Sequence, residues 1–424
     1  MIKCNINFCD DFHYPSIVKD IIISFGEICC RYIGEDLVSI MLIGSGARGE
    51  LTWIQDLDGN LLLYSDLEFS VYTTRKIDEL VHKKVEEAVL KFEKPFTDNC
   101  HFFHIDFSIA PITYLKRTNN KFITFESKAT GKIIYGTDVK FMLPTLDGSN
   151  LNFKELNEIL LHRLWSMLLY LPLEFLKNKE DCANFNYILC RNVLDITTWL
   201  LPYENMTLIA GFKNRLAFMN ENWNRLKFKE FFSQDDLQFL NECYEGKMRL
   251  KFSDQSHTIY EKAIRLFMCG TKYMLKEYGV TISNEEFQKS ILAHSGKLFE
   301  GKTLKRKIVE TYMIKNKIRE YPFWKLLQWI SEDKKALSII FNFNMHLSNL
   351  SFLDGDDVCF KTLEAADEFL KKLNFSFNSL RNEYVDKWKQ LRKGYADYLV
   401  NYERGYQSKK NYFYLLIGIN ENKI

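Results

Sequence analysis

The stretch Ser65-Asp66-Leu67-Glu68-Phe69-Ser70-Val71 constrains this chain more than any other. Successive side chains of a strand point to opposite faces, so Leu67, Phe69 and Val71 share one face, while Asp66 and Glu68 share the other. Such a strand must lie on a core with its apolar side and keep its carboxylates at an open surface. Two like charges roughly 7 Å apart along one strand are unfavourable unless something cationic accompanies them. A hard divalent ion such as magnesium, which prefers carboxylate oxygens and substrate phosphates, meets that need.

A second alternating stretch, His104-Ile105-Asp106-Phe107-Ser108-Ile109, puts His104, Asp106 and Ser108 on one face. On a neighbouring strand, Asp106 would supply a third carboxylate. His104 is read as a structural hydrogen-bonding residue. Upstream, the apolar run Val38 to Ile43 predicts a buried strand that ends in Gly44-Ser45-Gly46-Ala47-Arg48-Gly49-Glu50. Glycines at such a turn let backbone N–H groups approach a phosphate, with Ser45 and Arg48 as further donors. No Gly-Lys-Ser/Thr follows, so this is not a Walker A loop.

Around these stretches the pattern predicts a helix over Ile17–Tyr32, strands over Leu61–Tyr72 and Phe102–Ile109, and a helix over Ile77–Phe92. Helix, strand, turn, strand, helix, strand is a small α/β unit. After Pro144 and Asp147-Gly148-Ser149-Asn150 helical periodicity takes over, as in Leu380, Tyr384, Trp388, Leu391, Tyr395, Tyr398 and Tyr402. The expected architecture is therefore α+β: an α/β domain with a mixed sheet over residues 1–147, then a mainly α-helical region over 148–424. Residues 1–147 carry 16 Lys and Arg against 21 Asp and Glu, and the remainder 41 against 34, so a net of −5 precedes one of +7. A basic second half suits an anionic substrate, although the excess is spread thinly.

Composition excludes several classes. Of 424 residues, 46% are hydrophobic and 26% charged, as in globular rather than disordered chains. The ten cysteines form no CxxC pair, which is the usage of reduced, buried thiols in a cytoplasmic protein. No signal-peptide pattern and no run of about 18 apolar residues is found, so no membrane partner is expected. Nucleic acid is not the expected partner either.

Gly44-Ser45, Asp66-x-Glu68 and Asp106 together resemble the active-site pattern of the DNA polymerase β-like nucleotidyltransferase superfamily. Gly44 to Gly49 looks like its small-molecule and minimal members, and Gly131-Lys132-Ile133-Ile134-Tyr135-Gly136 like the segment that follows their third carboxylate strand. The resemblance spans residues 38–138. It implies an enzyme that uses two Mg²⁺ ions to move NMP from an NTP such as ATP to an acceptor hydroxyl, releasing pyrophosphate. Asp66, Glu68 and Asp106 would be metal ligands and catalytic residues, with Asp106 also the general base. Gly44, Ser45, Arg48 and Ser65 would contact the nucleotide, and the helical region would hold the acceptor, a small molecule.

One spacing departs from that pattern. The superfamily leaves about ten residues between Gly-Ser and the carboxylate pair, whereas here twenty separate Ser45 from Asp66. Asp56 and Asp58 stand nearer the usual place. Asp58-Gly59-Asn60 is turn chemistry, so Leu51–Leu63 is read as an inserted hairpin and Asp66/Glu68 as the pair. Two other readings stay open. One is a non-catalytic NTP-binding or partner-binding protein. The other is a Rossmann-type dinucleotide-binding oxidoreductase, because Gly44-x-Gly46-x-x-Gly49 also fits GxGxxG.

Overall fold

The computed structural model describes residues 14–55, 61–97, 103–117, 121–146, 148–170, 183–280 and 297–298. Asp56, Asp58 and the periodic stretch from Leu380 to Tyr402 lie outside them. The fold is α+β, a mixed sheet with helices followed by a helical region. Two compact units arise: one from Met1–Asn152, Asn205–Glu221 and Lys247–Leu250, the other from Phe153–Glu204, Asn222–Gly246 and the segment from Lys251 onward.

The first unit opens with α1, Ser16–Ile33. Val18, Ile21, Ile22, Phe25, Cys29 and Ile33 recur at steps of three and four, and all are buried. They cover one face of a four-stranded sheet of order β5-β4-β1-β6, formed by β1 (Leu37–Ile43), β4 (Leu67–Thr73), β5 (Ile105–Pro111) and β6 (Lys132–Gly136). Phe25 stacks on Phe69 of β4 with ring centroids 4.1 Å apart. Removing either ring would forfeit about 3–5 kcal/mol, the usual cost of a large core truncation. β1 runs antiparallel to both β4 and β6, while β4 and β5 are parallel. A parallel pair needs a crossover, and α3 (Glu79–Thr97) supplies it, burying Val85 and Val89.

Two short strands, β2 (Trp53–Gln55) and β3 (Leu61–Leu63), pair antiparallel as a separate ribbon. This is the hairpin expected between Ser45 and Asp66. It also corrects the single strand read over Leu61–Tyr72, which breaks at Tyr64–Asp66 because its first half belongs to the ribbon. Neither α4 (Phe122–Thr130) nor β6 was anticipated as an element. Gly131 joins them, and a Cβ there would fall 2.4 Å from the Ser127 carbonyl oxygen and 2.8 Å from Met41 Sδ.

The topology removes the Rossmann reading. A dinucleotide site needs parallel neighbours around the glycine-bearing strand and a helix that runs on from the turn. Here β1 is antiparallel on both sides, and α2 spans only Gly44–Arg48.

In the second unit α6 (Ala183–Leu200) packs against α5 (Phe153–Tyr170) and α9 (Ser256–Glu277). α6 is buried almost all round, so it forms the centre of this unit. Of two further helices, α7 (Phe212–Asn222) belongs to the first unit up to Glu221, and α8 (Gln234–Arg249) to the second up to Gly246. Among the described residues no helix is long and apolar enough to cross a membrane. Cys29, Cys190, Cys243 and Cys269 are free thiols, but Cys30 is disulfide-bonded, against the expectation of reduced cysteines throughout.

Candidate active site

The candidate carboxylates gather where β1 ends and β4 and β5 begin. Leu67, Phe69 and Val71 are at most 1% exposed, while Asp66, Glu68 and Ser70 are half-buried, the alternation read from the sequence. Leu67 N donates to His104 O at 2.9 Å and sets the register of β4 against β5. That register pairs Glu68 with Asp106, and Glu68 also stands beside Ile43 on β1. Ile43, Glu68 and Asp106 thus form one row across three strands, with Asp66 two residues before Glu68 and Gly44 immediately after Ile43.

Gly44 has φ +66°, in the left-handed region, and a Cβ there would fall 1.8 Å from Glu68 Oε2. Both its backbone conformation and the carboxylate beside it therefore demand glycine. The Ser45 carbonyl accepts the Glu50 N–H at 2.9 Å, and Tyr14 Oη donates to the Gly46 carbonyl at 2.9 Å, so the turn is held from two sides. Ser65 is buried, and its Oγ accepts the Thr52 N–H at 2.9 Å, closing the hairpin at its base.

Arg48 lies in a charged network. Its Nε donates to Glu50 Oε2 at 2.8 Å and its Nη1 to Glu126 Oε2 at 3.2 Å. Burial works against its charge, but Glu126, Glu50 and Glu68 outweigh it and raise the pKa above the ordinary arginine value. Glu126 Oε1 accepts from Arg215 Nη2, and from Gly211 N at 3.2 Å. The Arg215 guanidinium stacks between the rings of Phe122 and Phe212, 5.2 Å from each centroid. Lys213 N donates to Glu50 Oε1 at 3.0 Å, and Lys247 Nζ to the Glu50 carbonyl at 2.7 Å and Thr52 Oγ1 at 3.0 Å. Sequence reasoning missed Glu126, Arg215 and Lys247. They lie 78 to 197 residues from their partners, and no local motif marks them.

Glu93 is also buried, and its Oε2 accepts the Ile105 N–H at 2.8 Å and lies 3.2 Å from His104 Nδ1. His104 thus has the structural hydrogen bond expected of it. Lys132 starts β6, paired with Leu42.

Asp66, Glu68 and Asp106 offer carboxylate oxygens, the donor type that a hard divalent cation prefers. Among the described residues no three His, Cys, Asp or Glu side chains stand together as a ready-made metal cage. Magnesium does not require one, since one or two carboxylates and substrate phosphates commonly complete its shell.

No family model matches the chain, and no curated protein does. Among solved structures it is similar to spectinomycin adenyltransferase AAD(9) from Enterococcus faecialis, determined with ATP and spectinomycin. The identity is 12% and the TM-score 0.35, over 58% of this chain and 98% of that one. A likeness of that depth carries no argument, so the chemistry rests on the site itself.

Proposed function

We propose that this chain is a magnesium-dependent nucleotidyltransferase that moves NMP from an NTP to the hydroxyl of a small-molecule acceptor and releases pyrophosphate. One observation carries the reading: Glu68 and Asp106 are register partners on adjacent parallel strands, in the row that ends at Ile43, next to Gly44. Glu68 and Asp106, with Asp66 two residues before Glu68, would supply the carboxylate oxygens for two-metal transfer. Asp66, Glu68 and Asp106 would hold the metal; when bound, it would neutralise the triphosphate and ease deprotonation of the acceptor. Asp106 would take the acceptor proton. Backbone N–H groups at Gly44 and Ser45 would bind phosphate oxygens, with Arg48 and Ser65 completing the nucleotide contacts. Residues 1–147 would be the catalytic domain, and the helical residues 148–424 would receive the acceptor.

Incubation with Mg²⁺, each labelled NTP and a metabolite extract tests this. Pyrophosphate release that Asp66→Ala abolishes supports it. The engagement of Arg48 by Glu50 and Glu126 favours a second reading, a protein that binds NTP without transferring it. Saturable NTP binding with no turnover under any acceptor would select that reading and sink the first.

A further inference from the structure

Glu126 belongs to α4, outside the three strands that carry the proposed carboxylates. Its two oxygens are divided between partners. Oε2 accepts Arg48 Nη1, while Oε1 accepts Arg215 Nη2 and the Gly211 N–H. Arg48 is the last residue of the short helix that begins at Gly44, so Glu126 is one side chain away from the turn. Glu50 closes the other flank, with the Arg48 guanidinium on one oxygen and the Lys213 N–H on the other. Two guanidinium side chains and two carboxylates are thus packed together. Side-chain exposure is 2% for Arg215, 3% for Glu50, 12% for Arg48 and 15% for Glu126.

Stability alone does not explain such a cluster. Apolar residues of similar volume often serve as well as buried ion pairs, whose desolvation offsets their attraction. What charged hydrogen bonds supply is directionality: the fork of Arg48 satisfies both carboxylates in one orientation. We propose that Glu126 is a positioning residue, which fixes Arg48, and through it the Gly44–Arg48 turn, in the conformation that receives the nucleotide triphosphate. This rests on the nucleotidyl-transfer reading above. Glu126 itself touches no substrate; it acts through Arg48.

The test uses the full chain, with Glu126→Gln to remove the charge and Glu126→Asp to restore it on a shorter arm. Two quantities are read: amide hydrogen exchange over residues 44–50, and the affinity for each of the four α,β-methylene NTPs with Mg²⁺. In Glu126→Gln, exchange over 44–50 should quicken about tenfold or more, while β4 and β5 keep their protection. Affinity should weaken by a similar factor, and Glu126→Asp should recover part of both. A merely structural carboxylate predicts otherwise. Exchange that rises uniformly through the unit, or that stays unchanged over 44–50, overturns the proposal. So does local loosening with unaltered affinity. Wild-type protein that binds none of the four analogues overturns the nucleotide reading and this proposal with it. Wild type that binds, beside a Glu126→Gln variant identical to it in both readouts, overturns the proposal alone.

Discussion

Glu50 and Glu126 each meet an arginine, whereas Glu68 and Asp106 are set side by side by the register of two strands. Both pairs belong to the same α/β unit. In the first pair the negative charge is met by guanidinium groups and backbone N–H groups, so each carboxylate has a fixed place and a fixed partner. In the second, two carboxylate-bearing residues are set side by side by the backbone itself, through the register of parallel strands. The difference separates carboxylates placed by side-chain partners from carboxylates placed by strand register, the pair to which the proposed function gives the ligand.

The largest expected effect falls on the second pair. Glu68→Gln or Asp106→Asn should lower pyrophosphate release more than about 100-fold, beyond what loss of an outer metal-site partner usually costs. Melting temperature should hold or rise, because a like-charge contact is relieved. An unfolded variant, or one with full turnover, would break the distinction. The first pair should respond the opposite way: Arg215→Met, which leaves Glu126 without its buried guanidinium, should cost about 3–5 kcal/mol in urea unfolding. A change within error would reduce the network to surface pairing.

Glycines sharpen the same contrast. Gly44 and Gly34 share nearly the same positive φ, +66° and +64°, but a Cβ at Gly34 meets nothing within 4 Å. Gly34→Ala should therefore cost only what its backbone conformation imposes, about 1–3 kcal/mol. Gly44→Ala should cost about as much again and also displace the Glu68 carboxylate, so NTP turnover should fall only there. Equal turnover in the two variants would detach Gly44 from the site.

The smallest effect is at Asp36, an exposed carboxylate whose pKa is lowered by hydrogen bonds from Thr74 and Arg75. A pKa depressed on folding contributes stability above the unfolded aspartate value, and that contribution is lost as pH falls through the folded value. Melting curves of Asp36→Asn and wild type should thus converge under acid and separate slightly at neutral pH. A gap that widens under acid would contradict that sign.

Local pattern made α1, β1, the hairpin, β4 and α3 readable, because each buries one face at its own period. The apolar alternation of Leu67, Phe69 and Val71 located Glu68 correctly on its strand. Strand pairing was not readable. That Glu68 meets Asp106 depends on the crossover through α3, and β6 pairs with a strand far earlier in the chain, Lys132 with Leu42 and Gly136 with Ser39. Arg48 shows the limit most clearly. In the sequence it follows a glycine turn, and nothing local announces its carboxylate partners, one of which is on α4, a helix without a strong amphipathic signature.

The hairpin between Ser45 and Asp66 is tied shut at its base by Tyr64 N to Thr52 O, 2.9 Å, and by Thr52 N to Ser65 Oγ, 2.9 Å. What lies beyond that knot can lengthen or shorten at little more than loop-closure cost, about 0.6 kcal/mol per doubling. Over evolutionary time such a ribbon is a free parameter: residues can accumulate in it while the row from Ile43 to Asp106 stays where it is. The separation of Gly44 from Glu68 is therefore set by the pairing of β1 with β4 and not by the count of residues between them.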